Sequence, residues 1–238
     1  MGAAWGIVSG KFVITAAGLL IASRIDQTRL QALVDPHVAS SAVTRSFAEQ
    51  RHLAGPGAAQ TATRHPLSIG IGAEEFDQPN LVIADHLPVP GADMVIGRDI
   101  LSAHVISLDV DRRDLSLLDK GEIERLPHRF TAVPMTMNDE GQLRVTIAIN
   151  GLRAEAALCL SQADPLEIGT SFWQSSPPAR GEAAHITVGR AGLDDIAWPG
   201  KNVASDRVTL GLDAFKGRTI VLDLPHGRLW ISTTSASQ

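Results

Sequence analysis

One internal duplication constrains this 238-residue chain more than any other feature. Met94-Val95-Ile96-Gly97-Arg98-Asp99-Ile100-Leu101 reappears as Val208-Thr209-Leu210-Gly211-Leu212-Asp213-Ala214-Phe215, an offset of 114. The register then continues without a gap. Asp109 and Asp223 each lie 12 residues after their glycine, and Leu115 and Leu229 each lie 18 after it. A self-similar pattern of this kind means one structural unit used twice.

The match extends upstream. His65–Ile71 resembles Ala183–Val188, and both alternate apolar and polar residues as half-buried strands do. Leu143, Val145, Ile147 and Ile149 alternate up to Asn150-Gly151, a dipeptide suited to a two-residue hairpin, and Leu152 to Leu160 alternate back. A first lobe is expected over 1–120 and a second over 129–235. Residues 121–128 form the linker, where the chain is charged and carries Gly121 and Pro127. Ser23–Val34 reads as a helix, capped by Ser23, with Asp26 in its first turn and Ile25, Leu30, Leu33 and Val34 on its buried side.

Composition removes several function classes. At 44% apolar residues the chain can bury a core, and with a net charge of −5 and no Lys/Arg cluster it is a poor match for nucleic acid. Cys159 is the single cysteine, so an intramolecular disulfide and a Cys-based zinc site are excluded, and no two of the eight His stand at metal-ligand spacing. No metal or cofactor is expected. Lys11 with the apolar run Phe12–Ala22 has the form of a signal-peptide core, but the repeat favours a buried strand, and the run is too short for a membrane span. The location is therefore open between the cytoplasm and, after removal of a signal peptide, the periplasm or exterior.

The order of an apolar strand, a tight turn, a hairpin, then Val95-Ile96-Gly97-Arg98-Asp99-Ile100-Leu101 and again Thr209-Leu210-Gly211-Leu212-Asp213-Ala214-Phe215 resembles the retropepsin-like and pepsin-like aspartic proteases. The tandem form resembles a bacterial single-chain pseudodimer. The resemblance implies a mainly β, acid-protease fold: two tandem retropepsin-like β-barrel lobes related by a pseudo-twofold, with short helices, acting as a monomer.

That family's chemistry uses one Asp-Thr/Ser-Gly turn from each lobe, because two carboxylates must share a proton across the lobe interface. In the second lobe the resemblance places this turn at Leu160-Ser161-Gln162-Ala163, with Leu160 where Asp is expected. In the first it places it at Thr15-Ala16-Ala17-Gly18, an offset of 145 that sets Gly6 opposite Gly151; an alternative register uses Ala22-Ser23-Arg24. None of these supplies an Asp. Asp99 and Asp213 are matched, but the resemblance puts them on the short helix, where a carboxylate caps backbone amides. Asp109 and Asp223 read as strand or turn residues. Cys159 reads as a buried, inert thiol, with no His near it in sequence and no symmetry-related partner.

Ala54, Gly55, Pro56 and Gly57 form a candidate mobile flap over the cleft. The expected function is an inactive relative of the aspartic proteases whose interlobe cleft, floored by Thr15, Leu160, Ser161 and Gln162, binds an extended peptide or protein segment. Two alternatives stand beside it: an active endopeptidase with displaced carboxylates, Asp99 and Asp213, and a scaffold with a collapsed cleft.

Overall fold

A computed structural model describes residues 10–53, 67–72, 74–78, 81–162, 164–169, 172, 182–193, 196–197, 202–203 and 207–233. The flap candidates Ala54, Gly55, Pro56 and Gly57, and also Ala163, lie outside them. In chain order the first half holds β1 (Gly10–Thr15), β2 (Gly18–Ile25), β3 (Thr28–Val34), β4 (Ala42–Thr44), α1 (Arg45–Gln50), β5 (Leu67–Ile71), β6 (Glu74–Gln78), β7 (Val82–Ala84), β8 (Met94–Ile96), α2 (Arg98–Leu101), β9 (Val105–Asp109) and β10 (Asp114–Leu117). Helix α3 (Lys120–Arg125), closed at its N-terminus by a capping box between Asp119 and Glu122, leads into the second half. There follow β11 (Phe130–Met137), β12 (Leu143–Ile149), β13 (Leu152–Cys159), β14 (Leu166–Gly169), β15 (Ala183–Ala184), β16 (Ile186–Val188), β17 (Ala191–Gly192), β18 (Ile196–Ala197), β19 (Asn202–Val203), β20 (Val208–Gly211), a 3₁₀ turn at Leu212–Phe215, β21 (Thr219–Asp223) and β22 (Arg228–Ser232).

The two halves repeat one topology. β2 and β3 pair as a hairpin with Leu19 opposite Val34 and Ile25 opposite Thr28. β12 and β13 do the same with Leu143 opposite Leu158 and Ile149 opposite Leu152, so the structural offset here is 124. β3 runs parallel to β8, and β13 runs parallel to β20. The expected likeness of His65–Ile71 to Ala183–Val188 is realised at its C-terminal end. Ile69 and Ile71 of β5 sit on β2 as Ile186 and Val188 of β16 sit on β12.

A six-stranded antiparallel sheet, β1-β10-β9-β21-β22-β11, joins the halves. At its centre Ser107 of β9 faces Val221 of β21, and these two residues are equivalent under the offset of 114. The pseudo-twofold therefore passes between them. One continuous apolar core includes Ile21, Ile69, Met94 and Leu108 from the first half and Ile147, Leu210, Phe215 and Leu222 from the second.

The segment Ser23–Val34 is not a helix. Asp26 and Gln27 take positive φ values of 45° and 70° and form the two-residue turn between β2 and β3. The equivalent turn is Asn150-Gly151, with φ values of 49° and 83°. Both faces of β3 are buried, with Leu30, Ala32 and Val34 in the main core and Leu33 packed in a second cluster with Ala42 and Val95. A strand covered on both sides carries a near-continuous apolar run, and that run also satisfies a helical period. The apolar run Phe12–Ala22 forms β1 and β2, as the strand reading expects. Among the described residues no helix is long and apolar enough to cross a membrane.

His104 is half-buried against Phe76, with ring centroids 4.6 Å apart. Burial holds its pKa below the ordinary 6.5, and Glu74 opposes this only in part. The folded protein thus resists protonation that the unfolded chain accepts, so this contribution is present above about pH 6.5 and is lost as the pH falls below it. Chemical unfolding at about pH 7 and pH 5 should show a loss of stability on acidification, and His104→Leu should reduce that loss.

Candidate functional site

The strand registers locate the paired turns. In the first half β3 ends at Val34, level with Ile96, and the next residue, Asp35, donates its N–H to the Ile96 carbonyl at 3.1 Å. In the second half Leu158 is level with Leu210 and Cys159 with Gly211. The offset of 124 makes Asp35-Pro36-His37 equivalent to Cys159-Leu160-Ser161. The same backbone contacts follow in both copies. Arg98 N–H donates to Val38 O at 2.8 Å, and Leu212 N–H donates to Gln162 O at 3.1 Å.

Thr15-Ala16-Ala17-Gly18 is instead the turn of the β1–β2 hairpin. Thr15 Oγ1 donates to Gly18 O at 2.9 Å and accepts from Ala17 N–H at 3.3 Å. The alternative Ala22-Ser23-Arg24 lies inside β2 and makes no turn. The expected second-lobe turn does follow β13, but Leu160 stands one residue beyond the position that matches Asp35. The sequence reading missed Asp35 because it aligned Gly6 with Gly151. Asp26-Gln27 lacks the glycine that makes Asn150-Gly151 conspicuous, and its equivalence to that dipeptide was the available signal. With the turns correctly placed, the distances to Gly97 and Gly211 are 62 and 52 residues.

The two turns meet across the lobe interface. Pro36 and Leu160 line one small apolar void together with Leu19, Leu143, Leu108 and Leu222, three symmetry-related pairs around the pseudo-twofold. Asp35 is 7% exposed, and its carboxylate accepts from His37 N–H at 2.9 Å while the His37 ring Nδ1 lies 3.0 Å away. His37 covers the carboxylate and keeps 43% of its own side chain exposed.

A cleft of about 600 Å³ opens beside this pair, lined by His37 of the first half and by Gln142, Arg144, Arg153, Glu155, Ala157, Cys159, Phe172, Arg207 and Thr209 of the second. Arg153, Glu155, Ala157 and Cys159 share one face of β13 by the two-residue strand period. Arg144 reaches Glu155 at 3.0 Å, and Cys159 Sγ lies 3.1 Å from Ser161 Oγ. Cys159 is partly exposed in this cleft and not sealed in a core. Thr15, Ser161 and Gln162 do not line the cleft, and Leu160 faces the apolar void.

The matched aspartates have framework roles. The Asp99 carboxylate accepts from Ser41 N–H, from Ser41 Oγ at 2.6 Å and from Ile100 N–H. Asp213 is exposed on the 3₁₀ turn. Asp109 caps its hairpin through Arg112 N–H, and Asp223, 1% exposed, lies 2.6 Å from His226 Nδ1.

This arrangement is the bilobal fold of the pepsin-like aspartic proteases. Among solved structures, the soybean basic 7S globulin superposes with a TM-score of 0.61 at 12% identity, covering 95% of this chain and 94% of that one. Conglutin gamma, a basic 7S globulin from lupine seeds, superposes with a TM-score of 0.57 at 10% identity (96% and 95% covered), and the aspartic proteinase of Irpex lacteus with 0.55 at 10% (95% and 97%). No family model and no curated protein matches the sequence. At these identities the likeness establishes the fold alone.

Proposed function

We propose that the protein is inactive as an aspartic peptidase and uses its interlobe cleft to bind an extended peptide or protein segment. One observation carries the reading: the residue that matches Asp35 across the pseudo-twofold is Cys159. A thiol there cannot share a proton with a carboxylate in the way the two-Asp mechanism requires, and the Asp35 carboxylate is occupied by His37. The displaced pair Asp99 and Asp213 offers no substitute, since Asp99 is tied to Ser41. An open volume of about 600 Å³ favours a binding groove over a collapsed scaffold. Among the described lining residues, three arginines against one glutamate favour an acidic segment in a chain whose net charge is −5.

Incubation with a broad peptide library across about pH 3–8, the range in which carboxylate dyads titrate, should yield bound acidic peptides and no cleavage. Specific cleavage blocked by a transition-state analogue of the aspartic proteases would overturn the reading.

A further inference from the structure

The two halves carry equivalent sheet faces, and the residues on those faces differ in kind. In the first half the registers set Val13, Leu20, Leu33, Val95 and Ala42 in one row across β1, β2, β3, β8 and β4. The same row in the second half is Thr136, Arg144, Ala157, Thr209 and Glu167, across β11, β12, β13, β20 and β14. Side chains level with one another on paired strands lie on one face of the sheet. The second-half face is the cleft wall, since Arg144, Ala157 and Thr209 line it. The first-half face is a small apolar cluster. Leu33, Ala42 and Val95 are its buried floor, and Ala17, Leu20 and Val38 pack on it partly exposed. His37, the first lobe's residue in the cleft, is followed directly by Val38 of this cluster. At the outer end of the row Val13 is 58% exposed.

The charges differ as the rows do. Arg144, Arg153, Arg207 and Glu155 line the cleft in the second half. Their equivalents in the first are Leu20, Arg29, Asp93 and Gln31, at offsets of 124 and 114, so the second-half set carries two net positive charges and the first-half set none. We propose that the two halves of the cleft select different side chains of one bound segment: an acidic side chain against Arg144 and Arg153, and an apolar side chain against Leu20 and Val38. This specificity rests on the cleft binding an extended peptide, and it adds the order of chemistry along that peptide and hence a single direction of binding.

Each half accepts one side chain and rejects the other. A carboxylate on the second-half wall meets Arg153, exposed on β13, and Arg144, which Glu155 and Gln142 hold in place at 3.0 Å and 3.3 Å. The same carboxylate on the first-half face would give up water to Leu20 and Val38. A leucine reverses the preference. It buries apolar area on Leu20 and Val38, whereas on the second-half wall it would only strip water from the arginines.

The test is binding of dye-labelled extended peptides to the full chain, read by fluorescence anisotropy. Each peptide carries one glutamate and one leucine in an alanine-serine background, with both orders made and the spacing scanned. The expected result is that one order binds more tightly than the other. In that order, glutamate to glutamine should weaken binding about fivefold, the upper value for a partly exposed ion pair, and leucine to alanine about tenfold. Protein variants separate the halves. Arg144→Gln combined with Arg153→Gln should erase the preference for glutamate and leave that for leucine, and Leu20→Arg should do the reverse. Equal binding of both orders, or a preference that survives the variant aimed at it, overturns the divided specificity and leaves peptide binding standing. Binding of no peptide in either order overturns peptide binding and this specificity with it. Should Leu20→Arg fail to fold, Leu20→Ala takes its place, and an unchanged leucine preference in it overturns the apolar half.

Discussion

Gly211→Ala should destabilise the protein by about 3 kcal/mol, the upper part of the usual range for overpacking. A Cβ there would stand 2.0 Å from the carbonyl oxygen of Asp164 and 2.8 Å from that of Gln162. Both are backbone atoms, so no side chain can swing away. The Gly211 backbone is of ordinary extended type at φ −87°, so the requirement for glycine comes from close approach and not from the left-handed region. Gln162 and Asp164 stand directly over the residue, with Gly211 N–H donating to Pro165 O and Leu212 N–H to Gln162 O, each at 3.1 Å. The equivalent Gly97→Ala should cost less, about 2 kcal/mol, because its nearest clash, with Val38 O, is at 2.7 Å. Denaturant titrations check both: the midpoint should fall with the slope unchanged, and further for Gly211. A Gly211→Ala protein as stable as wild type would contradict the placement of this turn.

Asp99→Ala should cost about 2 kcal/mol, and Asp213→Ala no more than about 0.5 kcal/mol. The two residues occupy the same place in the duplicated motif, so the contrast is informative. Ser41 is 1% exposed, and Asp99 accepts hydrogen bonds from both its N–H and its hydroxyl. Ser41 Oγ in turn accepts from Gly97 N–H at 2.8 Å. Removing the carboxylate strands a buried amide and a buried hydroxyl, and it loosens the turn that carries Asp35 and His37. Asp99 itself is solvent-accessible, which keeps the expected cost below that of a fully buried carboxylate. Asp213 faces solvent on the 3₁₀ turn, and among the described residues no serine is bonded to it. Equal losses at the two positions would show that the carboxylate serves its own helix and not the turn.

Much of the fold was legible because strand burial writes a regular pattern. The alternation Leu143 to Ile149, the Asn150-Gly151 turn and the return through Leu158 form the hairpin as read. The duplicated glycine segments form β8 and β20 followed by α2 and the 3₁₀ turn at an offset of 114, and β9 and β21 keep that offset across the interlobe sheet. The same rules failed at β3. Its two buried faces erased the alternation, and a turn made of Asp26 and Gln27 at positive φ carried no glycine to mark it. That one error moved the first turn by twenty residues, from Thr15 to Asp35, and hid the carboxylate.

The sequence by itself determined that this chain is a duplicated, mainly β unit with a matched glycine in each copy, because apolar spacing and the repeat are read along the chain without any tertiary contact. Which side chains face one another was decided by tertiary structure alone. The parallel registers of β3 on β8 and β13 on β20, and the pseudo-twofold between Ser107 and Val221, bring Pro36 and Leu160 of the two turns to one apolar void across more than one hundred residues of chain. No local preference encodes that meeting. It follows from burying both lobes against one shared sheet, which brings the two strand ends together whatever residues stand on them.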